Sequence, residues 1–163
     1  MRIAKSYEYA ATVHAVFAVT ADQAFQDAKM VATGAISHTA TVTASGERVF
    51  VMTERVLASQ GLPDFVKTFV GESITIVEHQ DWGPAGADGS RIASIDMHVR
   101  GAPVTLRGTI SLIPTATGTL EDVDTELKAH IPLLGGKIEQ AASVPIERAI
   151  DIEAATRDDF LRG

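Results

Sequence analysis

At 163 residues, 45% of them apolar, the chain has the length of one domain and enough hydrophobic material for a sizeable core. A formal net charge of −7 without any cluster of lysine or arginine argues against a nucleic-acid partner and against attraction to an anionic membrane surface. The lack of cysteine removes disulfides, thiolate metal sites and a cysteine nucleophile together, which fits a reducing, cytoplasmic location.

No apolar run reaches the roughly 18–20 residues that cross a bilayer, so stable membrane insertion is not expected. Arg2 and Lys5 followed by residues 10–21 loosely imitate a signal peptide. Glu8, Thr12 and His14 interrupt that run, and the segment is expected to be structural.

Residues 2–9 alternate, with Ile3, Lys5, Tyr7 and Tyr9 on one side, which predicts an opening strand. Thr12 and Asp22 are placed to cap two short helices, the second closed by Gly34. Residues 36–44 alternate again, with Ile36, His38, Ala40 and Val42 on one face. Ser45-Gly46 then predicts a hairpin into a strand over 48–57. Gly61-Leu62-Pro63-Asp64 leads into residues 65–70, which read as one or two helical turns or an extended lip. Four strands follow, over 73–82, 90–100, 103–114 and 119–131, separated by Gly/Pro turns. Three of them carry clear apolar sets: Ala93/Ile95/Met97/Val99, Val104/Leu106/Ile110/Leu112 and Val123/Leu127/Ala129/Ile131. One apolar and one polar face is the pattern of an antiparallel sheet packed on one side.

Beyond residue 134 a long helix is expected. Ile138, Ala141, Ala142, Pro145, Ala149, Ile152 and Phe160 share one face, while Glu139, Glu147, Asp151, Glu153 and Asp158 fall mostly elsewhere. Pro145 predicts a kink near 141–145 or a division into two segments. Gly135-Gly136 precedes this helix and is expected to make the tight turn into it through glycine's backbone freedom rather than to bind an anion. Nothing marks a second domain, so residues 1–163 are expected to form one.

Several short motifs occur in a set order. They are Tyr7, Phe17, Asp22 and Phe25; Gly61-Leu62-Pro63; Glu78 with Trp82; Gly101-Ala102-Pro103; Gly108 with Leu112; and the run Ile131-Pro132-Leu133-Leu134-Gly135-Gly136-Lys137-Ile138-Glu139. In this order they resemble the START-like (SRPBCC, birch-pollen-allergen-like) superfamily, and within it an uncharacterised family known as domain of unknown function 2505. The resemblance implies an α+β helix-grip fold. A seven-stranded antiparallel curved sheet would wrap round the long C-terminal helix, with two short helices between strands 1 and 2. It also implies an internal, mainly apolar cavity, and it carries over no catalytic residues.

Within such a cavity the residues expected to meet a ligand are His38, Arg55, Phe69, Glu78, Trp82, Met97, Leu106, Leu127, Ile138 and Ala142. Glu78 lies on a strand face with Ile74, Ile76, Gln80 and Trp82; it either faces the cavity or sits solvated or arginine-paired at the sheet end. His38 is an inward acid/base or donor, or a histidine satisfied by one local partner. The strand over 49–57 is apolar on both sides, so Arg55 or Glu54 must point inward; an inward Arg55 could grip a carboxylate, and a rim salt bridge is the alternative. Trp82 either lines the pocket mouth or plugs one end of the core. The five histidines show no metal-ligand spacing, and phosphate-loop, dinucleotide and nucleophile-elbow motifs are absent, so no metal or cofactor is expected.

Three functions follow. The first is binding or carriage of an apolar small molecule such as a lipid, polyketide or isoprenoid. The second is a cavity enzyme of the cyclase or hydrolase kind using Glu78 with His38 or Arg55. The third is a structural or interaction module whose cavity is filled by its own side chains, with an exposed strand edge or helix surface that forms a homodimer or binds a partner.

Overall fold

The computed structural model describes residues 1–163. The alternating segment at the start is β1 (Arg2–Tyr9). It is followed by α1 (Val13–Thr20), whose first turn is capped by Thr12 accepting from the Ala15 N–H at 3.2 Å. Next is α2 (Gln23–Ala32), capped by Asp22 accepting from the Ala24 N–H at 2.9 Å. The hairpin of β2 (Ser37–Ser45) and β3 (Arg48–Ala58) turns at Gly46, whose φ of 59° suits glycine. The segment read as helical turns or a lip is a helix, α3 (Asp64–Val70). The remaining elements are β4 (Ser73–Trp82), β5 (Arg91–Val99), β6 (Val104–Pro114), β7 (Thr119–Ala129) and α4 (Gly135–Arg162).

The seven strands form one antiparallel sheet in the order β1-β7-β6-β5-β4-β3-β2. The first strand pairs with the last, and α1 and α2 carry the chain across to the opposite edge. This is the helix-grip arrangement the resemblance implies. Register places Thr53 opposite Glu78, Val51 opposite Gln80 and Val49 opposite Trp82. Because strand side chains alternate, one inner face collects Arg55, Thr53, Val51 and Val49 from β3 with Ile76, Glu78, Gln80 and Trp82 from β4.

The core on that face is divided. A large cluster under α1 and the end of α4 contains Tyr9, Phe17, Trp82, Ile95, Leu112, Val123 and Ala154. A small one, Ile3, Met97, Leu106 and Leu127, is met by Ala142, Ile146 and Ile150 of α4. The closest approaches of α4 are to α2, β7, α1 and β1. The helix is thus anchored over one side of the sheet, and the middle strands are left thinly covered.

Two expectations about the helix entry change. α4 is one continuous helix with Pro145 inside it, so of the kink or two segments expected at Pro145 the division into two segments is ruled out. Proline's missing N–H removes a single helical bond, and the packing on both sides of residue 145 keeps the rest. Nor does the Gly135-Gly136 pair supply left-handed backbone. That conformation falls on Leu133, at φ 66°, which is fully exposed. Gly135 is needed for a different reason: a Cβ there would overlap the Ala129 carbonyl oxygen. In the same run Glu139 reaches back to accept from the Ala129 N–H at 3.0 Å, so strand end and helix start are tied together.

Gly108, mid-strand in β6, has the same requirement, since a Cβ would overlap the Asp124 carbonyl of β7. Gly108→Ala should therefore destabilise the protein by about 3 kcal/mol, read as a lowered midpoint in urea unfolding. A midpoint equal to that of the parent would show that β6 and β7 do not approach this closely.

Candidate functional site

Between α4 and the inner face of the sheet, with α3 at its side, lies a cavity of about 370 Å³, and 25 of its 38 lining residues are hydrophobic. The wall is built by strand alternation. Ile76 of β4, Ile95 and Met97 of β5, Leu106 of β6 and Leu127 of β7 point up from the sheet. Ile138, Ala142 and Ile146 point down from α4 at four-residue spacing. Phe69 and Val66 of α3 close one side.

Eight of the residues expected to meet a ligand line this space: Arg55, Phe69, Glu78, Met97, Leu106, Leu127, Ile138 and Ala142. His38 and Trp82 do not. His38 lies on β2, the outermost strand, where its Nε2 sits 3.2 Å from Asp27 Oδ1 of α2. Register sets His38 opposite Arg55, but its imidazole turns to Asp27 and does not line the cavity. Trp82 is fully buried within the large core cluster, edge-on to Phe17 at 5.6 Å between ring centres. Its Nε1 donates to Gln80 Oε1 at 2.9 Å, so it plugs the core and does not edge a mouth. Glu54 takes the outward position and pairs with Arg100 on the surface.

One end of the cavity is closed by charge. Arg157 of α4, 2% exposed, donates through Nη1 to both oxygens of Glu121 on β7 at 2.9 Å, and through Nη2 to Glu153 Oε1 at 3.1 Å. The Tyr9 hydroxyl donates to Glu121 Oε2 at 2.6 Å. Lys29 of α2, with no exposed surface, donates to Glu153 Oε1 at 3.2 Å and to Glu78 Oε1 at 3.4 Å. Gln80 adds a donor to Glu78 Oε1 at 2.7 Å. Glu78 therefore faces the cavity, the first of the two positions the sequence allows, and its partner is a lysine and not the arginine of the second.

Lys29, Glu121, Glu153 and Arg157 were not among the residues expected at the site. Glu153 had been placed off the apolar face, yet it turns inward between Lys29 and Arg157. The signal was present: Ile138, Ala142, Ile146, Ile150, Glu153 and Arg157 form one helical stripe whose last two turns are charged, and Glu121 shares the inner period of Val123 and Leu127. Reading that stripe for apolar residues alone ends it too early.

Burial would raise the Glu153 carboxyl, but the charges of Lys29 and Arg157 and the hydrogen bond from Lys29 outweigh it and bring its pKa down to about 2. Burial likewise would lower the Arg157 guanidinium, and Glu121 and Glu153 together hold it above its ordinary value. The Tyr9 phenol is pushed up, first by burial, and stays protonated to donate to Glu121. Glu153 and Arg157 are thus both held in their charged forms, although the Nε of Arg157 is buried with no acceptor.

Two outcomes follow from this arrangement. Arg157→Met should cost about 3–5 kcal/mol in chemical unfolding, because it strands Glu121 and Glu153 without their shared cation. Adding Glu121→Gln should restore part of that loss. The carboxyl of Glu153 is depressed in the folded state, so its contribution is complete above the ordinary value of 4.5 and disappears as pH falls toward about 2. The stability gap between the parent and Glu153→Gln should narrow over that acid interval, and a gap independent of pH there would show that Glu153 is not ionised in the cluster.

The described geometry has counterparts among known proteins. Residues 5–161 match the family described as Protein of unknown function (DUF2505). Uncharacterized protein Rv0481c of Mycobacterium tuberculosis is 30% identical over 105 residues, 63% of this chain and 60% of that protein. The match thus spans about three-fifths of the curated relative's length. Among solved structures, TTHA0849 from Thermus thermophilus superposes with a TM-score of 0.65 at 12% identity, over 99% of this chain and 97% of its own. The Zhui aromatase/cyclase from Streptomyces sp. R1128 gives 0.63 at 11% identity, over 99% and 93%. A STAR-related lipid transfer protein from Xanthomonas axonopodis gives 0.59 at 14% identity, over 96% and 85%. At these identities the structures speak for the fold, and the family match for kinship: the chain belongs to the DUF2505 family and has the START-like helix-grip fold.

Proposed function

We propose that this protein binds and carries an apolar small molecule of lipid, polyketide or isoprenoid kind in the cavity under α4, in the cytoplasm. One observation carries the reading: a mostly hydrophobic space of about 370 Å³, within the size range of small-molecule sites, lies between sheet and helix. The space is partly open, so a guest can enter, and its mainly hydrophobic lining favours an apolar one. Two proteins sharing the fold, a lipid transfer protein and an aromatase/cyclase, point to the same class of guest. No helix is long and apolar enough to cross a membrane, in keeping with a carrier that does not span one.

The cavity-enzyme alternative draws on Glu78 and Arg55, which line the same space. Lys29 and Gln80, which both donate to Glu78 Oε1, favour a fixed structural role for it over proton transfer.

Native mass spectrometry of protein purified from its own host should reveal a bound small molecule. Ala142→Phe, which puts a ring into the space, should weaken binding of the neutral probe 1-aminoanthracene by about tenfold or more in a fluorescence titration. Equal binding by the variant, with its unfolding midpoint preserved, would place the probe elsewhere and remove the support for this reading.

A further inference from the structure

We propose that the molecule held in this cavity bears a carboxylate and that Arg55 grips it; this rests on the carrier reading above and names the ligand's polar end. Arg55 lies on β3, lines the cavity and is 8% exposed. Its one hydrogen bond runs from Nη1 to Thr33 Oγ1 at 3.3 Å. Thr33 directs its own hydroxyl proton to the carbonyls of Lys29 and Met30, so toward Arg55 it can only accept. The Nε of Arg55 is buried with no acceptor. A guanidinium offers five N–H donors in a planar fork, and here one of them is used.

The Nε of Arg157 is likewise buried with no acceptor, so what sets Arg55 apart from the other two buried cations is its lack of an ion pair. Lys29 touches Glu78 and Glu153, and Arg157 touches Glu121 and Glu153. Arg55 forms no ion pair. Its neighbour Glu54 faces outward to Arg100, and Glu153, whose Oε1 already serves Lys29 and Arg157, feels Arg55 only as a more distant charge. A buried guanidinium without an ion pair is costly, and the cost is relieved when a matching acceptor arrives.

The surroundings define the rest of the ligand. Register sets Arg55 opposite Ile76 and Leu57 opposite Ile74 on β4, and all four line the cavity. Val66 and Phe69 of α3 continue the apolar wall. An amphipathic acid fits this pattern, with its two carboxylate oxygens on the Arg55 fork and its hydrocarbon body along the isoleucines.

The test uses the purified full chain and two matched pairs of probes that displace 1-aminoanthracene: dodecanoate against dodecan-1-ol, and 2-naphthylacetate against 2-(2-naphthyl)ethanol. In at least one pair the acid should bind about tenfold or more tighter than its alcohol. Arg55→Met should abolish that preference while still binding the alcohol, and Arg55→Lys, which keeps the charge without the fork, should restore part of it. Alcohols binding as well as acids in both pairs would overturn the carboxylate assignment and leave the carrier reading standing, and this comparison needs no variant to fold. A preference for the acid that survives in Arg55→Met would likewise remove Arg55 from the role. Failure of every probe to bind, 1-aminoanthracene included, would end both proposals.

Discussion

The contact on which the architecture turns is the buried pair of Arg157 and Glu121. It fastens the last turns of α4 to β7, the strand paired with β1 at one side of the sheet. Tyr9 joins it from β1, and through Glu153 and Lys29 it reaches α2 and then Glu78 on β4. Phe25 of α2 adds an edge contact to Phe160 and lies beneath the Arg157 guanidinium at 4.9 Å. A helix of 28 residues clamped this firmly near its C-terminus need not lie flat along its whole length. Its N-terminal half is held at its first turn by Glu139 on the Ala129 N–H, and the span between the two anchors roofs the cavity.

Charge is an expensive way to hold a helix down. A well-packed apolar cluster of similar volume would stabilise the contact at least as well, because desolvating each ion offsets most of the attraction. What charge provides is position. Apolar side chains slide against one another, whereas Arg157 has one arrangement that satisfies Glu121 and Glu153 together. The cluster therefore sets where the helix sits on the sheet and, with it, the height of the cavity roof. It also gives the space two unlike ends: hydrocarbon near α3, and matched ions with one unmatched guanidinium near α2.

The turn into α4 shows close backbone fit on a smaller scale. Its sequence brings strand and helix so close that Gly135 has no room for a Cβ, and the left-handed residue demanded by the turn is Leu133. An L-residue in that conformation costs about 1–2 kcal/mol, and the side chain recovers none of it by burial, since Leu133 is fully exposed. The bond from Ala129 N–H to Glu139 and the burial of Ile138 hold the turn against that strain.

Much of the fold was legible in residue order. Alternation located every strand to within two residues at each end. Thr12 and Asp22 marked two helix starts, and the motif order from Tyr7 to Glu139 pointed to the helix-grip family. These are local properties: side-chain period and capping chemistry act over a few residues and need no knowledge of what lies opposite. The same locality explains why Met97, Leu106, Leu127, Ile138 and Ala142 could be assigned to an inner face. It failed where a side chain's surroundings come from distant elements. Nothing near His38 announces that β2 is the outermost strand beside α2, and nothing near Trp82 announces that Phe17 covers it. Lys29, Glu121, Glu153 and Arg157 look like ordinary surface charges one at a time. They become an interior cluster only when α2, α4, β4 and β7 converge. An ion is tolerated in the core solely by virtue of its partners, and the chain supplies these from as far as 148 residues away, as Tyr9 is to Arg157. The sequence on its own therefore determined the strands, the caps and the inward faces. Tertiary structure alone decided which charges are buried together and that Arg55 is left without an ionic partner.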